Sequence, residues 1–157
     1  MNNLTENKNF LSPTGFRLSI NSTKFANTEY FCISAPLPTV SLNPIAVNFR
    51  GQQIVVPGDK IDYGQIDIRF IVNEDMDNYI EMFNWIQDCS KSTNTKDISY
   101  DITMSIMTSK NNVNKQIKFI SAMPVSLDGM EFTVQNTDIE YLTASVTFQY
   151  TRFEFVK

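Results

Sequence analysis

A chain of 157 residues with 42% hydrophobic and 19% charged side chains has the size and composition of one folded domain. Its 13 basic and 17 acidic side chains give a net charge of −4, and no Lys/Arg cluster supplies the basic patch that non-specific phosphate binding requires. With no histidine in the chain, the usual general base, the Ser-His-Asp and Cys-His arrangements and His-containing zinc sites are all excluded.

The opening Met1-Asn2-Asn3-Leu4-Thr5-Glu6 lacks the basic stretch and apolar run of a secretory leader. No apolar stretch approaches ~18 residues, so neither a transmembrane helix nor a membrane partner is expected. Residues 1–14 are polar apart from a small hook at Phe10-Leu11, and read as an N-terminal arm that cannot support itself. Residues 15–157 read as a single β domain.

Phe16, Leu18 and Ile20 alternate with polar neighbours, the period-two pattern of a half-buried strand. A second strand is expected from about Tyr30 to Ala35, stopping at Pro36 and Pro38, and a third from Ile45 to Phe49. From Arg50 to Tyr63 the alternation weakens around Gly51, Pro57, Gly58, Asp59 and Lys60, which predicts a long loop or splayed hairpin. Clean alternation returns over Gln65 to Val72, with Ile66, Ile68, Phe70 and Val72 on one face and Gln65, Asp67 and Arg69 on the other.

The period then changes. Met76, Tyr79, Ile80, Phe83 and Ile86 recur at steps of three and four, and Asn73 or Asp75 stands where a cap belongs. The pattern predicts one helix over 74–88, packed through Tyr79, Ile80, Phe83 and Ile86, with Met82 and Trp85 widening the stripe. Further strands follow at Ile98 to Ile106 and, after a polar turn around Lys110–Asn114, at Gln116 to Ser121. The longest runs from Ile139 to Phe155. One of its faces carries Leu142, Ala144, Val146, Phe148 and Tyr150; the other carries Thr143, Ser145, Thr147, Gln149 and Thr151. Pattern alone therefore predicts a mainly β fold, an antiparallel barrel or sandwich with one flanking helix.

No catalytic set emerges. Glu74 and Asp75 suit a helix start better than acid–base chemistry. Asp59, Asp62, Asp67 and Asp101 lack the spacing of a calcium loop. Asp128-Gly129 is a turn signal, Trp85 a core or helix-interface aromatic, and Met104, Met107, Met123 and Met130 core fillers. Lys115 and Lys118 read as a solvated or inter-subunit face. Cys32 and Cys89, without CxxC spacing, read as buried free thiols rather than a disulfide. Neither an enzyme nor a cofactor is expected. The rival reading from another class is a β-barrel enclosing a small apolar ligand.

Several pieces gain meaning as an ordered set. Pro36-Leu37-Pro38 ends an early strand, and Val56-Pro57-Gly58-Asp59-Lys60-Ile61 precedes the strand Ile66-Asp67-Ile68-Arg69-Phe70. Val72-Asn73-Glu74-Asp75-Met76 leads into Tyr79-Ile80-Glu81-Met82-Phe83-Asn84-Trp85-Ile86. Ala122-Met123-Pro124-Val125-Ser126-Leu127, Ile139-Glu140-Tyr141, Ser145-Val146-Thr147-Phe148 and Tyr150 close the set. From Pro36 to the C-terminus this order resembles the tail-tube family of contractile-tailed phages, whose domain is shared by baseplate tube initiators and type VI secretion tubes.

The resemblance implies a tail-tube fold assembled as stacked hexameric rings inside a tail sheath. Baseplate and tail-terminator proteins would be further partners. Genomic DNA would pass through the lumen without specific binding, in a virion assembled in the host cytoplasm. The segment 50–63 would then be an inter-subunit loop, docking on neighbours through Arg50, Gln52, Val55, Val56, Asp59, Lys60, Ile61 and Tyr63. The row Thr143, Ser145, Thr147, Gln149 and Thr151 would line the lumen. Six subunits giving four strands each would close ~24 strands with a backbone diameter near ~48 Å, wide enough for a duplex about 20 Å across.

Overall fold

The computed structural model describes residues 10–21, 23–135 and 140–156. Most of the expected N-terminal arm, and Ile139 where the last strand was expected to start, lie outside them.

In chain order, β1 (Phe16–Ile20) leads through a 3-10 turn at Thr23–Phe25 and a short helix α1 (Ala26–Tyr30) to β2 (Cys32–Ser34). β3 (Val40–Leu42), β4 (Ile45–Phe49), β5 (Gln52–Val56) and β6 (Ile61–Tyr63) run out from the domain and back, and β7 (Ile66–Ile71) re-enters it. α2 (Asp77–Lys91), β8 (Tyr100–Met107), β9 (Val113–Leu127), β10 (Thr143–Gln149) and β11 (Arg152–Phe155) follow. The strands pair in the order β1-β8-β9-β10-β7-β2, with β11 also on β9. All these pairs are antiparallel. The result is a nearly closed barrel with its seam between β1 and β2.

Its interior is the apolar half of each alternation. Leu18 and Ile20, Ile66, Ile68 and Phe70, Ile102 and Met104, Ile117 and Phe119, and Ala144, Val146 and Phe148 are all buried. Each large side chain so buried stabilises by roughly 1.5–3 kcal/mol.

The long strand β9 serves both halves of the barrel. Its first part pairs with β8 and β11, and its last part with β10. Buried positions change parity midway, from Ile117 and Phe119 to Ala122 and Pro124. Ser121, with a left-handed φ of 54°, is the extra residue that allows this, bending the strand while keeping apolar side chains inward. The bend is pinned by Asp101. Its carboxylate accepts the Ser121 N–H at 3.0 Å and lies 3.0 Å from the Lys118 ammonium. Burial alone would raise the Asp101 carboxyl; the Ser121 N–H and Lys118 outweigh it and hold the group below its ordinary 3.8.

Three expectations need correction. The helix runs Asp77–Lys91, not 74–88, and neither Asn73 nor Asp75 caps it. Met76 precedes it in a left-handed conformation, φ 58°. The entry is tied instead by Asn78, whose Oδ1 accepts the N–H groups of Asn73 (3.3 Å) and Tyr79 (2.9 Å) and whose Nδ2 donates to the Ile71 carbonyl (2.6 Å). The buried face is therefore Asn78, Met82 and Trp85, while Ile80 and Phe83 remain 47% and 49% exposed. Trp85 stacks on Phe25 at 4.4 Å and donates its indole N–H to the Ile98 carbonyl at 2.7 Å.

The second correction concerns Tyr30–Ala35. Tyr30 ends α1, so a second helix is present and the strand shrinks to Cys32–Ser34. Thr28 of α1 donates to Glu81 of α2 at 3.1 Å, and the Glu29 carboxylate accepts the Ile20 N–H. Local tertiary bonds override the strand pattern there. Third, the final strand breaks after Gln149. Tyr150 turns onto Phe119 at 5.0 Å, and the Thr151 N–H donates to the Ile120 carbonyl, so β11 pairs with a different stretch of β9 than β10 does. Cys32 and Cys89 are unpaired thiols, half-buried, and burial pushes Cys32 up to about 11.

Candidate assembly surface

Beyond the barrel, β3 pairs with β6 and β4 with β5, making a two-stranded ribbon. Its root is fixed to the domain. The Gly64 N–H donates to the Thr39 carbonyl at 2.8 Å, and the Tyr150 hydroxyl donates to the Gly64 carbonyl at 2.7 Å. Tyr63 packs on Phe153 and Tyr150, with centroids 5.5 and 6.2 Å away. Burial, and then the neighbouring Tyr63, push the Tyr150 hydroxyl up to about 12, so it stays a neutral donor.

Midway, Asn43-Pro44 and Pro57-Gly58-Asp59-Lys60 interrupt the ladder between its two paired stretches. A Cβ on Gly58 would lie 2.0 Å from the Asn43 carbonyl oxygen, so only glycine fits there without a backbone shift. At the tip, Arg50 (φ 48°) and Gly51 (φ 81°) form a two-residue turn whose left-handed backbone matches the twist of the ribbon. The Arg50 guanidinium stands 5.5 Å from the centre of the Phe49 ring.

Every residue of β3, β4 and β5 is exposed. The pairs Ile45–Val56 and Val47–Ile54, with Phe49 beyond them, put a continuous apolar strip on one face of the outer ribbon. Ala46, Asn48, Gln53 and Val55 occupy the other. A lone hairpin is marginal in water, and a contiguous exposed apolar face marks an interaction surface.

The residues singled out in the sequence fall along this ribbon. Arg50 is the tip; Gln52, Val55 and Val56 lie on β5; Asp59 and Lys60 occupy the kink; Ile61 is on β6. All of these are exposed, whereas Tyr63 is half-buried at the root. Of the two expectations for segment 50–63, a long loop or a splayed hairpin, the structure has the hairpin: the segment is the returning half of an ordered ribbon starting at Val40. The outgoing half was expected as a strand over Ile45–Phe49, which it is, but Val40, Leu42, Ile45, Val47 and Phe49 were not singled out as part of the surface. Its signal was the matched interruption: Pro44 and Pro57 break the two halves of the ribbon at equal distances from Arg50-Gly51.

On the barrel, Thr143, Ser145, Thr147 and Gln149 share the outward face of β10, alternating with buried Ala144, Val146 and Phe148. Thr151 does not join them, because it lies on the bend before β11. The Thr147 hydroxyl donates to Asp67 at 2.7 Å. Ser145 stands opposite Arg69, and Thr147 opposite both Asp67 and Ser126. The face is rich in hydroxyls, with Asp67 and Arg69 offsetting each other in charge.

The chain has counterparts over most of its length. A family model described as phage tail tube protein matches residues 4–156. The tail tube terminator protein of Enterobacteria phage T4 is 27% identical, over 84% of this chain and 89% of its own. Among solved structures, a chain of the PVC sheath/tube terminator of an extracellular contractile injection system superposes with a TM-score of 0.76 at 18% identity, covering 97% of this chain and 100% of that one. A chain of the anti-feeding prophage tube terminating cap gives 0.71 at 16% identity, covering 94% and 91%. A chain of the PVC sheath-tube complex gives 0.69 at 18%, covering 92% and 90%. At such identities the likeness is one of fold.

Proposed function

The chain belongs to the phage tail tube protein family, and on that premise we propose that six copies form a ring stacked coaxially on the tube of a contractile tail. Its role is structural, as a tube or terminator component of a virion, and it needs no cofactor and performs no catalysis. The observation that carries the ring reading is the ribbon. A molecule that buries nearly all the apolar side of its barrel leaves Ile45, Val47, Phe49, Ile54 and Val56 in water. In a homomeric ring the natural cover is the next copy, through a head-to-tail contact that closes. Permanent interfaces of this kind commonly bury more than ~2,000 Å².

The T4 relative, alike over most of both chains, favours a ring at the end of the tube. A ring repeated along the tube body is the second reading, favoured by the description of the family model. Either ring would meet the sheath outside and tube or baseplate rings along the axis. Thr143, Ser145, Thr147 and Gln149 would face a channel whose hydroxyls pass DNA without gripping its phosphates.

Microscopy of the purified protein at rising concentration tests the reading. Rings are expected; short capped stacks support an end ring, and indefinite tubes the tube body. A strictly monomeric protein overturns the proposal. Deleting residues 52–60 should leave a folded barrel by circular dichroism that forms no rings. Thr147→Lys should still assemble, yet slow DNA passage from virions by adding a ring of positive charge to the bore. Failure of Thr147→Lys to form rings would make the β10 face an interface instead of a lumen.

A further inference from the structure

We propose that a second contact joins the copies head to tail: the Phe10-Leu11 hook of one copy seats in an apolar groove at the far end of its neighbour's barrel. This deepens the ring reading and rests on it. The groove, about 620 Å³, opens where β7 ends and β10 begins, between walls formed by Phe31, Ile71, Val72, Met76, Tyr141 and Leu142. That is the size of a ligand cleft. Its polar features are few. Glu74 and Glu140 border it, and the Asn73 side-chain oxygen is buried without a hydrogen-bond partner among the described residues.

The hook has the complementary chemistry. Phe10 is 100% exposed and Leu11 68% exposed, so among the described residues the hook is left largely in water. Lys8, two residues upstream in the sequence, carries a charge opposite in sign to the two carboxylates bordering the groove.

A copy cannot fill its own groove with this hook. Phe31, which lines the groove, immediately precedes β2, while Ile33 to Leu37 continue to the other end and lie beside Leu11. Along β9, Lys115 near the start of the strand pairs with Ile106, the partner of Phe16, whereas Leu127 at its end pairs with Val146, four residues past Leu142 of the groove. Hook and groove therefore point to opposite ends of the molecule. Such a heterologous contact closes into a ring or continues as a stack.

A photo-crosslinking benzophenone amino acid at position 10 of the full chain tests this, in a mixture of unlabelled and isotope-labelled protein. Phe10 and Tyr141 are both largely exposed, so replacing either leaves the barrel folded. The expected result is mixed-label crosslinks mapping to residues 71–76 and 140–142, with Tyr141→Glu lowering their yield about tenfold. Crosslinks confined to one chain, crosslinks to another surface, or none at all while rings still form would overturn the hook-and-groove contact and leave the ring reading standing. A chain that forms no rings would sink both.

Discussion

Strands β10 and β4 have nearly the same apolar alternation and opposite fates. In β10, Ala144, Val146 and Phe148 are at most 2% exposed; in β4, Ile45, Val47 and Phe49 are 46–57% exposed. Both pair with an antiparallel neighbour through a regular ladder. What separates them is the second layer. β10 faces Trp85 of α2 across the interior, with Phe148 and Trp85 centroids 5.4 Å apart, and β4 has no such layer over it among the described residues. Alternation reports which side of a strand is meant to be covered; it does not report whether the cover belongs to the same molecule.

The largest effect should come from the covered side. Phe148→Ala removes a fully buried ring from the centre of the barrel and should cost about 3–5 kcal/mol. Urea denaturation of the variant checks this. A loss under about 1 kcal/mol would mean the barrel interior is not close-packed, and the contrast with the ribbon would collapse.

A similar contrast exists within one helix, at the next rank of effect. Met82→Ala should cost about 2–5 kcal/mol, because Met82 is fully buried between helix and barrel. Phe83→Ala, one residue on, should cost less than about 1 kcal/mol in the monomer, since its ring is half in water. Thermal melts of the two variants side by side would show it. Equal losses would restore the Tyr79–Ile86 stripe as the core face.

That helix shows where the sequence was legible and where it was not. The β1, β7, β8 and β10 alternations were readable because two-faced strands obey a strict period. The α2 stripe was read off-centre: Met82 and Trp85, expected only to widen it, form its buried middle, because the stripe starts at Asn78, a polar residue whose amide replaces the missing caps. The β9 parity switch at Ser121 was invisible, since a bulge adds a residue without a composition signal. In the candidate surface, the returning half of the ribbon was found through its Pro-Gly-Asp-Lys break. The outgoing half passed for an ordinary half-buried strand. A left-handed Arg50, where Asn or Gly is usual, hid the turn joining them.

The bulge supplies a smaller prediction. Asp101 is depressed, so its stabilising contribution is present above the unfolded carboxylate value near ~3.9 and is lost as pH falls through the lower folded value. Asp101→Asn should reduce stability by about 1 kcal/mol at pH 7, and the gap between variant and parent should close under acid conditions. Melting temperatures measured across the acid range check this. A gap that persists at the acid end would mean the carboxylate charge has no part in holding the bend.

The smallest effect on stability should accompany the largest effect on assembly. Val47 and Ile54 face each other across the outer ribbon, 46% and 47% exposed, and neither touches the barrel interior. Val47→Asp should therefore change monomer stability by no more than about 0.5 kcal/mol. In a ring, the same carboxylate would be carried into an apolar interface without a partner, where burying an unpaired charge costs several kcal/mol. Rings should be lost while the melting curve of the dilute protein stays in place. Ile54→Asp should repeat the result, and Gln53→Asp, on the opposite face, should be milder. Sedimentation at matched concentrations separates the three. If Val47→Asp assembled like the parent, the ribbon's apolar face would be uncovered in the ring as well, and the contact joining the copies would have to lie elsewhere on the barrel.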